Sequence, residues 1–228
     1  MRETVKRTLG YVLPRPLWER MLSVRRRLYW WNSTRIRPGR TRQTVRELLA
    51  SGRPIRLELG AGPRAGMEGW VSLNISPGAT IQHDLTHPLP FPDNSVEQIY
   101  SSHVLEHFTY PRPMLDILRD CHRVLRPGGT FSIAVPNARH YLQAYFEPQG
   151  FDRALFCGYD VGLSYRNRID VVNFVAYLGD EHKFMFDEEN LPRVLEEGGF
   201  REVRLRGFDP PLDLRERAHE SVYAEGVK

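Results

Sequence analysis

Arg56-Leu57-Glu58-Leu59-Gly60-Ala61-Gly62-Pro63 is the stretch on which the reading of this chain turns. A short apolar run enters from Arg56 and breaks into a turn with two glycines. Lacking a Cβ, glycine tolerates positive φ and lets the backbone come within contact distance of a ligand. Glu58 stands two positions before the first glycine. Its carboxylate can meet an ammonium, and nothing in the loop demands a phosphate. The expected ligand therefore carries a nucleoside and a charged amino-acid tail. A dinucleotide fits less well, because its fingerprint needs a third glycine and a helix N-terminus for the pyrophosphate. The run Gly60 to Ala65 has a proline inside it and no third glycine in place.

Beyond this loop, short apolar runs alternate with helical stretches, the pattern of an α/β sheet with parallel strands. Strands are expected at Arg56–Leu59, Trp70–Ile75, Thr80–His83, Val96–Ser101 and Thr130–Val135. The interval from Gly62 to Asn74 leaves room for only a very short first crossover helix, or a turn in its place. Met114, Ile117, Leu118, Cys121 and Leu125 recur at helical spacing and predict a helix over Pro113–Leu125. Arg126-Pro127-Gly128-Gly129 predicts a tight turn. Residues 136–183 are less periodic and rich in aromatics, and read as an insertion lying over the carboxyl edge of the sheet. Their rings are as well suited to a small core of their own as to a substrate. A helix is expected within Asp187–Gly199, then two closing strands, Phe200–Gly207 and Ser221–Val227, as a hairpin joined by a long loop.

Charge is divided unevenly. Residues 1–55 carry 14 Lys/Arg against 3 Asp/Glu, a balance of +11, whereas the chain as a whole carries +4 over 228 residues. The remainder is therefore acidic, and only the first segment argues for an anionic partner. Within it Leu17, Met21, Val24, Leu28 and Trp31 form one apolar helical face, with arginines largely off it. A second short helix is expected over Thr41–Ala50. The extension reads as a helix packed over the domain as a lid or dimer contact. Two other readings are an amphipathic helix on an anionic membrane surface and a nucleic-acid contact, which no reader motif supports. No apolar run is long enough to span a bilayer, and arginines interrupt any signal-like core. Cys121 and Cys157 offer neither a disulfide framework nor metal-finger spacing, in keeping with a cytoplasmic protein.

Five features in order, Glu58-x-Gly60-x-Gly62, the polar end of the second strand, Asp84-Leu85, "SHVLEHF" and "RVLRPGG", resemble the class I S-adenosylmethionine-dependent methyltransferases. The likeness covers residues 56–228. It is nearest to small bacterial methyltransferases of the methyltransferase-11 type, including those that accompany surface-polysaccharide and sugar-modifying enzymes. The resemblance implies a Rossmann-like, mostly parallel seven-stranded sheet with helices on both faces. It also implies S-adenosyl-L-methionine as cofactor. Glu58 would then lie near the methionine ammonium, with Gly60, Ala61 and Gly62 passing under the ligand. Asn74, followed by Ile75, stands where most relatives have an acid gripping the ribose hydroxyls, so weaker ribose binding is expected. Asp84 would accept from the adenine amino group and the Leu85 N–H would reach a ring nitrogen. Ser102 and His103 would pass the methionine end.

Methyl transfer to a hydroxyl or amine needs a group that removes a proton. The candidates are His103, His107, His140 and His182. His103, Glu106 and His107 are spaced i, i+3, i+4, so on a helix they share one face. Similar clusters hold a divalent ion in ubiquinone-biosynthesis O-methyltransferases, with Glu where this chain has His103; that exchange favours a softer metal than Mg²⁺. A structural cap is the alternative reading, and the metal is left unassigned. His182-Lys183 would approach the acceptor from the insertion. The expected activity is methyl transfer to a small-molecule or glycan hydroxyl. The alternatives are a catalytically weak or silent scaffold, favoured by Asn74, and a nucleic-acid methyltransferase, disfavoured by the lack of an Asn-Pro-Pro-Tyr motif.

Overall fold

The sheet is assembled around Arg56–Leu59 (β1), whose Leu57 and Leu59 are almost fully enclosed. A computed structural model describes residues 38–62, 66–76 and 78–228. The apolar face at Leu17–Trp31 and the rest of residues 1–37 lie outside the described residues. Residues 39–228 form one compact unit.

Pro38–Ala50 (α1) opens the described chain. It buries Val45 against the main core and leads through buried Ile55 into β1. β1 pairs in parallel with Val71–Asn74 (β2) on one side and Val96–Ser102 (β4) on the other. Ile81–Gln82 (β3) adds to the outside of β2. The described residues between β1 and β2 are turn and irregular backbone, as the short interval required.

After β4 comes a single 3-10 turn, Leu105–His107, then Met114–Val124 (α2). α2 buries Met114, Leu115, Ile117, Leu118, Cys121 and Val124 and exposes its charged face. At about 25 cal/mol per Å² of apolar surface, six such side chains contribute on the order of 10 kcal/mol before chain entropy is subtracted.

Leu125–Pro136 (β5) pairs in parallel with β4. The expected turn at Arg126–Gly129 is realised inside this strand. Val96 pairs with Leu125 and Gln98 with Thr130, so four residues of β5 loop out opposite Glu97 alone. Gly128 takes positive φ there. Its N–H bonds to the carbonyl of Lys228, so the loop still has a backbone partner.

Ala138–Phe146 (α3), Arg153–Phe156 (α4) and Ile169–Tyr177 (α5) follow β5. Tyr141, Ala144, Val171, Phe174 and Val175 form a second core, against which Phe151, Phe156 and Tyr165 pack. Most aromatics of this segment therefore serve its own cohesion, while Phe146, Tyr159 and Tyr177 stay exposed.

Asn190–Glu197 (α6) seals the first core with Leu191, Val194 and Leu195. Arg201–Leu205 (β6) and Ser221–Val227 (β7) close the sheet. β7 is antiparallel to both β5 and β6 and lies between them. The strand order is β3-β2-β1-β4-β5-β7-β6. The long loop between β6 and β7 is anchored by a buried ion pair, in which the two terminal guanidinium nitrogens of Arg206 meet the Asp213 carboxylate, at 2.5 and 2.8 Å. Tyr100 on β4 donates to the same carboxylate at 3.0 Å. Among the described residues no helix is long and apolar enough to cross a membrane.

Candidate active site

In a parallel sheet the strands deliver their last residues to one edge, and loops there can converge without disturbing the core. β1, β2 and β4 end at Leu59, Asn74 and Ser102; Glu58 to Gly62, Asn74, Ile75, Ser102 and His103 lie at those ends, and Asp84 and Leu85 follow β3.

Gly60 and Gly62 both take positive φ, +72° and +67°, but for different reasons. A Cβ on Gly60 would stand 2.2 Å from Val104 Cγ2, so this glycine is required by packing against the segment after β4. Its N–H donates to the Leu73 carbonyl at 2.8 Å, locking the turn to β2. Among the described residues a Cβ on Gly62 would meet nothing within 4 Å. Gly62 is thus the glycine that leaves open space. Ala61 between them is buried.

Glu58 is buried, and its Oε2 accepts the Met67 N–H at 2.7 Å as the chain after the turn wraps over it. Asn74 has a role that the sequence did not suggest. Its Nδ2 donates to the Gly62 carbonyl at 2.9 Å, and its Oδ1 accepts from Ser76 N–H at 3.3 Å. A carboxylate has no hydrogen to give to a carbonyl. The amide at this position therefore holds the glycine turn, which an acid would not do. Ile75 offers its carbonyl to Gln82 Nε2.

Asp84 Oδ1 accepts from both the backbone N–H and the hydroxyl of Thr86, at 2.9 and 2.8 Å, and so caps its own turn. Oδ2 lies 3.8 Å from His87 Nδ1 and accepts no hydrogen bond among the described residues. The capping role and a ligand role are compatible, because they use different oxygens. Leu85 packs against the main core.

His103, directly after β4, has φ +54°, a left-handed conformation uncommon for a non-glycine residue. Its N–H bonds to the Ala134 carbonyl at 2.9 Å, which fixes the backbone. His103 Nε2 lies 2.8 Å from Ser221 Oγ, and that hydroxyl donates to the Arg217 carbonyl at 2.8 Å. Ser221 thus spends its proton on Arg217, so Nε2–H of His103 is the donor and Nδ1 keeps the lone pair. Nδ1 lies 3.9 Å from Glu220 Oε1, while Tyr141 donates to Glu220 Oε2 at 2.7 Å. Burial, reinforced by the Arg217 charge, holds His103 well below the ordinary imidazole range. Arg217 in turn donates to the carbonyl of buried Ser102 at 2.9 Å.

The expected shared helix face of His103, Glu106 and His107 is not formed. The helical geometry there is only the three-residue turn Leu105–His107, and His103 lies outside it with a left-handed backbone. His182 instead joins Glu106 and His107. Lys183 N–H donates to the Glu106 carbonyl at 2.8 Å, and His107 Nδ1 bonds the Glu181 carbonyl at 3.0 Å. These bonds lay residues 181–183 along the 3-10 turn and bring the two imidazoles to a centroid separation of 5.1 Å. His140 stays apart on α3, 3.5 Å from the Asn137 amide. Arg217, Glu220 and Ser221 escaped the sequence reading. In "RERAHES" they look like part of a solvated charge run, and only the antiparallel return of β7 brings them to the edge.

The sheet order, with antiparallel β7 between β5 and β6 and a glycine turn closing β1, is the Rossmann-like, mostly parallel seven-stranded architecture that the sequence resemblance implied. Residues 61–133 match the family described as a methyltransferase domain, of the methyltransferase-11 type. A 61-residue stretch is 38% identical to a probable S-adenosylmethionine-dependent methyltransferase of Mycolicibacterium smegmatis. That stretch covers 27% of this chain and 23% of the relative. Among solved structures, a SAM dependent methyltransferase from Archaeoglobus fulgidus is 16% identical, covering 88% of this chain and 99% of its own, with a TM-score of 0.47. An S-adenosylmethionine dependent methyltransferase from Mesorhizobium loti is 16% identical over 81% and 98%, with a TM-score of 0.46.

Proposed function

We propose that this protein transfers the methyl group of S-adenosylmethionine to a hydroxyl oxygen of a small molecule or glycan. The observation that carries the reading is the space at Gly62, just beyond the strand that bears Glu58; among the described residues, Glu58 and Asp84 each keep one carboxylate oxygen with no hydrogen bond. A nucleoside with an ammonium-bearing tail matches that set of groups. When bound, the cofactor supplies a methyl group on a sulfonium, a strong electrophile that needs no activation by the protein.

The chain's own residues then have three tasks. Glu58 orients the ammonium, and Asp84 accepts from the adenine amino group. Asn74 acts through the Gly62 carbonyl by keeping the turn open. His103, neutral at physiological pH, accepts the acceptor's proton at Nδ1, with the Glu220 carboxylate beside it to favour the imidazolium. Because Asn74 is accounted for by its bond to Gly62, it lends no support to a silent scaffold.

The test is a screen of hydroxyl-bearing small molecules and glycans with methyl-labelled cofactor, read by mass spectrometry. Label entering one acceptor in the wild type and lost in His103→Asn supports the reading. Label confined to amines or nucleic acid overturns the acceptor class.

A further inference from the structure

Glu106 is only 2% exposed, and among the described residues no other side chain or backbone group hydrogen-bonds to its carboxylate oxygens. An uncompensated carboxylate in such a place costs several kcal/mol and is rarely kept without a ligand.

Two imidazoles face it. His107 uses Nδ1 on the Glu181 carbonyl, and His182, itself buried, uses Nδ1 on the Val175 carbonyl at 2.7 Å. A carbonyl accepts only, so in both rings Nδ1 carries the proton and Nε2 carries the lone pair. That is the tautomer of a histidine set up as a metal ligand, with its far nitrogen held by a backbone carbonyl. His107 Nε2 lies 3.8 Å from Glu106 Oε1. One donor atom from each of the three residues falls within 4.8 Å of the others. Bonds of about 2.0–2.2 Å to a shared ion would draw such atoms together by roughly 1 Å, within the reach of side-chain rotation.

We propose that Glu106, His107 and His182 bind one divalent transition-metal ion of the zinc, cobalt or nickel kind. Two imidazoles and one carboxylate suit a borderline metal and are poor in the oxygen donors that magnesium and calcium require. Three protein ligands leave at least one coordination position open, the arrangement of a reactive rather than a purely structural site. His107 is partly exposed, at 35% of its side chain, whereas Glu106 and His182 are buried. His103, which the sequence pattern placed in this cluster, has its Nε2 on Ser221 and takes no part.

The experiment is titration of chelator-treated full-length protein with Co²⁺, followed by visible absorption, with no S-adenosylmethionine or acceptor present. The expected result is one Co²⁺ per chain with d–d bands, displaced by Zn²⁺ and not by a comparable concentration of Mg²⁺. His182→Ala and Glu106→Gln should each weaken Co²⁺ binding by about 100-fold or more, with near-ultraviolet circular dichroism unchanged. If His182→Ala does not fold, His107→Ala on the partly exposed residue takes its place with the same expectation. Absence of bands, displacement by Mg²⁺, or wild-type affinity in a folded ligand variant overturns the proposal. Because cofactor is absent throughout, failure here is separate from failure of the methyltransferase reading.

Discussion

Gly60 and Gly62 are a pair in which identical substitutions should have opposite consequences. In Gly60→Ala the new Cβ would stand 2.2 Å from Val104 Cγ2 at a backbone φ of +72°. The left-handed conformation costs an alanine roughly 1–2 kcal/mol, and overpacking against Val104 adds about 1–3 kcal/mol. In Gly62→Ala the backbone cost is the same, but the methyl meets no described atom within 4 Å. Urea unfolding should therefore show Gly60→Ala losing about 2–5 kcal/mol and Gly62→Ala only about 1–2 kcal/mol. Val104→Ala, added to Gly60→Ala, should restore part of the loss, a coupling of about 1 kcal/mol or more. Calorimetric titration with S-adenosylhomocysteine should show the reverse ranking. Gly62→Ala, folded, should lose at least about tenfold in affinity, ~1.4 kcal/mol, because its methyl occupies the cradle. Wild-type affinity in Gly62→Ala would refute the cradle. Equal stability of the two variants would refute the packing argument for Gly60.

Asp84→Asn should keep the turn, because an amide oxygen still accepts from Thr86. It puts a donor where Oδ2 was, so S-adenosylhomocysteine binding should weaken by about 1–3 kcal/mol with little change in stability; calorimetry and thermal melts together check this. Asp213→Ala strands the Arg206 guanidinium, 12% exposed, and removes the partner of Tyr100, so stability should fall by about 3–5 kcal/mol in urea unfolding. Burial lowers the pKa values of His83, His103, His107 and His182. The unfolded chain therefore takes up protons at about pH 6.5 that the folded protein resists, and stability is lost as pH falls below that value. The melting temperature of metal-free protein should drop from about pH 6.5 to about pH 5.5, and a flat profile over that range would contradict the buried neutral histidines.

The parts of the fold that sequence revealed are those coded by local pattern. β1 and β7 occupy Arg56–Leu59 and Ser221–Val227 as their apolar runs indicate, and α2 matches its helical periodicity within a residue at each end. The glycine turn was legible for the same reason. Nothing local announces that β5 begins before its turn residues, because the looped-out segment is fixed by Lys228 at the other end of the domain. The site divides in the same way. Glu58, Asn74, Asp84 and His103 stand in or within two residues of the carboxyl ends of strands that their apolar runs mark in the sequence. That Asn74 is bonded to Gly62, that His103 turns to Ser221, and that His182 lies beside Glu106 depend on contacts between distant segments. The i, i+3, i+4 spacing misled because it presumes a helix, and the chain makes only one 3-10 turn there.

The central claim is that the edge formed by β1, β2 and β4 holds S-adenosylmethionine. Calorimetric titration of the wild-type protein with S-adenosylhomocysteine tests it most directly. One binding site per chain is predicted, weakened in Gly62→Ala and in Asp84→Asn. No heat at millimolar ligand, from protein shown to be folded, would contradict it.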